Sequence, residues 1–179
     1  YQQALDSTIA MQSAFGISAQ DLGQKINFLN AVENQTVTSM EDLSEAIPRV
    51  APVIKGLGGT VEDMAVLLTA MREGGVSAAE GANALKSGLA SLINPSKSAR
   101  ENLAKFGIDL GAIVDQNSGN FMGIINDFAD ALNKLDGTAK QQVLSDLFGK
   151  YQFARLGALF NNINRDGSQA LRVLDLMNE

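Results

Sequence analysis

The chain has no histidine, no cysteine and no tryptophan among its 179 residues. Without histidine or cysteine it cannot assemble a Ser-His-Asp triad, a Cys-His pair or an ordinary zinc site. The absence of cysteine also excludes disulfide bonds. The most familiar nucleophilic and zinc-dependent enzyme classes are therefore excluded from composition alone.

Positive charge is also scarce, because 14 Lys and Arg face 20 Asp and Glu for a formal net charge of −6. This balance argues against general nucleic-acid binding, which needs a basic surface, and against docking on anionic lipid. No apolar run approaches the roughly 18 residues that cross a bilayer. The 45% of hydrophobic residues is instead typical of a globular protein with one core or two small ones.

Three glycine- or asparagine-rich segments invite a search for a ligand site, and each departs from the required spacing. Residues 56–59 lack the Gly-x-Gly-x-x-Gly pattern of a dinucleotide loop, and 149–150 lack the upstream glycine of a phosphate loop. Residues 115–120 resemble a calcium loop only faintly, because the glycine and the bidentate acid are misplaced. The sequence predicts no catalytic residue, no cofactor and no metal.

Two acidic pairs, Glu41 with Asp42 and Glu62 with Asp63, could be taken for acid–base carboxylates. Both pairs fall in the first turn of a predicted helix, where the helix dipole favours negative charge. We interpret them as capping residues.

Helix-start signals recur along the chain at nearly even spacing. Small polar residues stand before runs of helix-forming sequence, several with an acid or amide three residues later, as in a capping box. Asn94 precedes Pro95, which predicts an N-cap followed by proline at the first helical position. The predicted caps are Ser18, Ser39, Thr60, Ser77, Asn94 and Thr138.

Apolar stripes at steps of three and four residues accompany these starts. The stripe of 40–57 is the clearest, although Pro48 and Pro52 predict a kink or break in it. A second stripe on the helix after Ser77 contains only small residues, which predicts close approach of a neighbouring helix because glycine within a helix otherwise costs about 1 kcal/mol. That stripe, our candidate packing or interaction face, comprises Gly81, Ala84, Gly88 and Ser91.

The pattern changes at 108–120, where glycines and a polar run predict an irregular loop with a short extended piece at Ile113 and Val114. The sequence thus predicts an all-α fold of stacked antiparallel helical hairpins with short turns and one such loop. The predicted organisation is the end of a preceding helix at 1–17, a helical subdomain at 18–107, the loop at 108–120, and a second subdomain at 121–179 running into a further helix. A chain that starts and stops within helices is expected to be a piece of a longer polypeptide.

Residues 25–110 resemble the conserved helical region of phage tail tape-measure proteins. One matching segment is Glu-Asp-Met-Ala-Val-Leu-Leu-Thr-Ala-Met at 62–71, and a Phe-Gly motif at 147–150 with Ala154 resembles the family's closing motif. The order and spacing of the segments carry the resemblance more than any single motif. The other matching segments are 30–34, 39–43, 50–58, 73–76, 80–86 (with one extra residue), 92–95 and 103–108.

This resemblance implies a non-enzymatic virion protein that sets tail length, guides tube assembly and leaves through the tube at infection. It implies tail assembly chaperones, the tail tube protein and tail tip or baseplate proteins as partners. It places the protein in the phage tail, and in the host cytoplasm during assembly. Homo-oligomerisation stays open, no nucleic-acid binding is expected, and membrane contact is expected only during ejection.

Two other function classes remain compatible with the residues. A helical adaptor or scaffold would bind a partner helix in a groove. A membrane-active helical domain would use the small-residue face around Gly81 and Gly88.

Overall fold

A computed structural model of the chain describes residues 2–178, with side chains from residue 8 onward. Within this range the regular structure is helical throughout, which confirms the all-α class. The helices are α1 (Gln2–Phe15), α2 (Ala19–Gln35), α3 (Met40–Gly56), α4 (Val61–Glu73), α5 (Ala78–Ile93), α6 (Lys97–Lys105), α7 (Leu110–Gln116), α8 (Phe121–Asn133), α9 (Gly137–Phe148), α10 (Phe153–Asn162) and α11 (Gln169–Leu176).

Helices α2 to α5 begin at the cap residues proposed from the sequence. Ser18, Ser39, Thr60 and Ser77 each have an extended backbone and a side-chain oxygen that accepts from the backbone N–H three residues later. Ser39 and Thr60 form complete capping boxes, because the aspartate three residues on accepts in return from the cap N–H. These reciprocal bonds satisfy donors that the first helical turn leaves unpaired.

The predicted cap at Asn94 is wrong, because Asn94 is the C-cap of α5 and Ser96 is the N-cap of α6. The Ser96 hydroxyl accepts from the Ala99 N–H at 3.1 Å. Pro95 disfavours the helical conformation in the residue before it, so it belongs to the linker and the new helix starts after it.

The predicted cap at Thr138 is also wrong, by two residues. Asp136 is the N-cap of α9, and its carboxylate accepts from the Ala139 N–H at 2.8 Å. Thr138 lies inside the first turn of that helix. A carboxylate both caps the free N–H and complements the helix dipole, so Asp136 prevails over the threonine hydroxyl.

The predicted loop at 108–120 contains helix α7, and its predicted extended piece at Ile113 and Val114 is helical. Asp109 caps this helix by accepting from the Ala112 N–H at 3.0 Å. Leu110 is buried in the core. An aspartate cap and one buried leucine therefore override the β-branched residues and the glycine that favoured a loop.

Helix α3 runs unbroken through Pro48 and Pro52, so the predicted break at Pro48 does not occur. At the other end of the chain, α11 stops at Leu176, with Met177 as its C-cap. The division into subdomains, with the second running into a further helix up to 179, stays a prediction, and residue 179 lies outside the described range.

Helix α4 lies at the centre of the fold. Nine of its 13 residues are buried, including Met64, Leu67, Leu68 and Met71. It packs against α2, α3, α5, α10 and α11. A helix that is apolar on nearly every side must be covered on every side, so its neighbours come from both ends of the chain.

One hydrophobic cluster joins the two halves that the sequence analysis placed on either side of 108–120. Leu43 and Leu67 from the first half share it with Phe128, Leu159 and Val173 from the second. The boundary between two subdomains stays a prediction, and the packing of α10 and α11 on α4 joins both sides of it.

Candidate functional site

The small-residue face of α5 is packed inside the molecule over most of its length. Gly81, Ala84 and Gly88 are buried, and Ser91 is half-buried. A Cβ built on Gly81 would lie 3.4 Å from Leu68 Cδ1 in α4, and one built on Gly88 would lie 2.5 Å from Leu156 Cδ1 in α10. Glycine at position 88 therefore leaves room for the Leu156 side chain of α10, which a Cβ would force to shift.

The Ser91 end of the same face opens onto a surface groove of about 570 Å³. Pro52, Val53 and Leu57 line it from the end of α3, opposite Ser91 and Ile93 of α5. The groove is shallow and holds no charged side chain among its lining residues.

A hydroxyl pair lies within the apolar core at the start of α3. The side chains of Thr38 and Thr69 are fully buried and share a hydrogen bond of 2.8 Å. Because a buried hydroxyl without a partner is costly, this bond ties the α2–α3 turn to the middle of α4.

The acidic pairs of α3 and α4 have structural partners. Asp42 caps α3 and accepts from Arg72 Nε at 3.1 Å. Glu62 forms an ion pair with Lys25 of α2, and its second carboxylate oxygen is buried without a hydrogen bond in the described structure. Asp63 completes the capping box of α4. Asp42 and Asp63 therefore serve as capping residues, Glu62 serves an interhelix ion pair, and Glu41 is exposed in the first turn of α3.

Two of the described ionisable side chains have shifted pKa values. Hydrogen bonds from Arg155 and Ser77 hold the pKa of the Glu80 carboxylate below its ordinary value, and Arg155 lies 2.7 Å from it across the α5–α10 contact. Burial lowers the pKa of Lys140, whose ammonium donates to Asn133 Oδ1 at 2.9 Å. Both groups therefore form contacts between helices at the surface of the protein.

Three phenylalanine rings bring α8, α9 and α10 together. The ring centroid of Phe128 lies 5.0 Å from that of Phe160 and 6.2 Å from that of Phe148, in edge-to-face geometry. Phe148 and Phe160 are stacked at 5.9 Å. Aromatic pairs in these geometries add about 0.5–1.5 kcal/mol each beyond their buried area.

The polar run 115–120 joins two helices. Asn117 Nδ2 donates to Asp127 Oδ2 at 2.6 Å, and Asn120 caps α8 by accepting from the Gly123 N–H at 3.0 Å. Among the side chains that the structure describes, from residue 8 to 178, no group of three or more acidic residues is placed to hold a metal ion.

Large apolar side chains that stay exposed are scattered over the surface. They are Ile9, Val37, Tyr151 and Met177, of which Tyr151 is the most exposed at 78%. None of the described helices has the length and apolar character that a membrane span requires.

Sequence reasoning missed a polar cluster between the C-terminal end of α4 and the N-terminal end of α11. Glu73 Oε1 accepts from Arg165, and its Oε2 accepts from the Gln169 backbone N–H at 3.0 Å. The partners are more than 90 residues apart in sequence, so no local spacing signals them. The sequence shows only that Glu73 and Arg165 carry opposite charges, and not that they are in contact.

Comparison with known proteins matches the chain to a protein family and to a longer relative. The family described as phage-related minor tail protein matches residues 1–149. The tape measure protein of Pneumococcus phage Dp-1 is 22% identical over 151 residues, which cover 83% of this chain and 13% of that protein. No solved structure matches the chain. Since the family match extends over most of the sequence, the chain belongs to the phage-related minor tail protein family.

Proposed function

We propose that the chain is a folded helical segment of a tape-measure protein that acts in tail length determination, tail assembly and genome ejection. The observation that carries the proposal is the ordered series of tape-measure-like segments from 25 to 110. Those segments supply α4 and the two helices that flank it in sequence, and they serve packing rather than chemistry. The similarity to the Dp-1 tape measure protein supports the same assignment.

Within this proposal the chain is not an enzyme, and its carboxylates and glycines serve helix capping and close packing. Its partners are tail assembly chaperones before assembly, and tail tube and tail tip or baseplate proteins afterwards. It resides in the host cytoplasm during assembly and in the tail of the virion.

The segment is also too compact to be the ruler itself. Drawn out as one α-helix, 179 residues would span about 270 Å. Folded as a compact domain, a chain of this size has a diameter of about 40 Å. We therefore assign length measurement to helical sequence outside this segment, and assembly to the segment itself.

Protein analysis of virions before and after genome release tests the proposal. Quantitative mass spectrometry is expected to find peptides from 18–107 in intact tails, in constant proportion to the tube protein, and to find them depleted from particles that have ejected their genome. Peptides of the capsid shell, which stays behind, provide the internal control. Absence of the segment from intact virions, or its full retention after ejection, would contradict the proposal.

A further inference from the structure

The last helix, α11, is fastened to the rest of the fold by contacts of two kinds. Its buried side chains, Ala170, Val173 and Leu176, belong to the core, and the helix packs on α4 and α2. Its N-terminal end is held by Glu73, which accepts from the Gln169 N–H and from Arg165. We refer to Glu73, Arg165 and Gln169 as the α4–α11 clasp.

Burial distinguishes the clasp from an ordinary surface ion pair. The Glu73 side chain is 14% exposed and that of Arg165 is 50% exposed. The carboxylate also meets the first N–H of α11, where the helix dipole is positive. A largely buried carboxylate with two charge-assisted hydrogen bonds resists screening better than an exposed pair.

The clasp continues into α4 and α10 through one amide. Arg165 Nε donates to Asn162 Oδ1 at 3.1 Å, and Asn162 Nδ2 donates to the Ala70 carbonyl at 3.0 Å. Beside it Gly74 allows close approach, because a Cβ built there would lie 2.5 Å from Ala158 Cβ. The end of α4 is therefore joined to both C-terminal helices at one place.

A second connection runs from α11 to the end of α2. The Val37 N–H donates to Gln169 Oε1 at 2.6 Å, and Arg172 Nε donates to Gln35 Oε1 at 2.7 Å. These contacts join residues 132 and 137 positions apart. Tension on α11 is thus transmitted to both α2 and α4.

The positions of these contacts along the chain determine when a pulling force reaches them. A pull at the C-terminal side reaches α11 first among the described helices, so the clasp at the N-terminal end of α11 bears load before any other helix is lost. A pull at the N-terminal side first strips α1 and α2, and the clasp at the end of α4 is reached only after the fold has lost those helices. We propose that the α4–α11 clasp is a directional latch, which makes the segment resist extraction from its C-terminal side.

The proposed tape-measure function supplies the reason why extraction matters, since a tail protein that leaves through a tube is drawn out from one end. The latch itself is a property of the chain, and its test needs neither virion nor tail. Failure of the latch would leave the proposed function intact, and failure of the function would leave the latch measurable.

Directional unfolding by an ATP-driven ring unfoldase coupled to a protease measures the latch. The full chain carries a recognition tag at either its N-terminal or its C-terminal end, and the degradation rate is compared for the native sequence and for Glu73→Ala. Glu73→Ala is expected to accelerate degradation from the C-terminal tag by about tenfold or more, the factor for loss of one hydrogen bond to a charged group. From the N-terminal tag we expect a change of less than about twofold, because an earlier step limits the rate.

Glu45→Ala is the matched control, because Glu45 forms an exposed ion pair with Arg49 of the same helix, α3, and is no part of the clasp. It is expected to leave both rates unchanged. Arg165→Met provides a second clasp variant if Glu73→Ala lowers the folded fraction seen by circular dichroism. Equal acceleration from both tags would show that Glu73 only adds global stability, and no acceleration from the C-terminal tag by either variant would also overturn the latch.

Discussion

The buried hydroxyl pair Thr38–Thr69 illustrates, at the residue scale, how this fold uses polar groups. Both side chains are fully buried, and their hydroxyls share one hydrogen bond of 2.8 Å within a mostly apolar core. The sequence does not reveal this pair, because no local spacing pattern relates residue 38 to residue 69. The pairing of Glu73 with Arg165 is not evident from the sequence for the same reason. Polar pairs across the core depend on packing that local sequence patterns do not encode.

Replacing one hydroxyl of this pair is expected to cost more than replacing both. Thr69→Val leaves the Thr38 hydroxyl buried without a partner and should lower the free energy of unfolding by about 1–3 kcal/mol. Thr38→Val combined with Thr69→Val should recover much of that loss, since two apolar groups then meet. Urea unfolding of the two single variants and the double variant measures the coupling. Strict additivity of the two losses would contradict the pairing.

The close approach at Gly88 gives a second test at this scale. Gly88→Leu adds a side chain where even a Cβ would lie 2.5 Å from Leu156 Cδ1, and should destabilise the fold by about 1–3 kcal/mol. Asn83→Leu is the matched control, because position 83 is exposed on the same helix. Urea midpoints compare the two variants. An unchanged midpoint for Gly88→Leu would show that the small-residue face is not needed for packing.

At the scale of elements, sequence patterns located helices where cap and stripe agree. Ser39 and Thr60 combine a small hydroxyl cap, an aspartate three residues on and an apolar stripe, and the structure begins α3 and α4 there. The disagreements occur where signals compete. Pro95 lies in the linker, so α6 begins after it rather than at it. Helix α7 is too short to show an apolar stripe, so its glycine and β-branched residues dominated the sequence pattern and favoured a loop. Short helices depend on tertiary contacts, here those of buried Leu110, which the sequence does not display.

The corrected start of α6 predicts different costs for two neighbouring substitutions. Ser96→Ala removes the hydroxyl that accepts from the Ala99 N–H and should cost about 1 kcal/mol. Asn94→Ala changes an exposed C-cap residue and should stay within about 0.5 kcal/mol of the parent. Thermal or urea unfolding distinguishes them. A larger loss for Asn94→Ala than for Ser96→Ala would restore the cap predicted from the sequence.

For the whole molecule, the central fact is that α4 is enclosed by helices from both ends of the chain. Which helices would cover it was not visible in the sequence, because α10 and α11 are joined to it by contacts such as Asn162 to the Ala70 carbonyl, 92 residues apart. A segment closed in this way is suited to act as one folded unit in an elongated protein.

The distinction between a folded unit and a molecular ruler leads to opposite expectations for deletions. In-frame deletions in predicted helical sequence outside this segment are expected to shorten tails by about 1.5 Å per residue removed. Deletion of 18–107 removes α4 and its flanking helices, and is expected to abolish or derail tail assembly without producing shortened functional tails.

Electron microscopy of tail lengths in phage that carry each deletion is the most direct measurement of whether this chain is a folded assembly segment of a tape-measure protein. We predict tails shortened in proportion to deletions elsewhere, and no infectious particles from the deletion of 18–107. Proportionally shorter, infectious tails from the deletion of 18–107 would contradict the assignment.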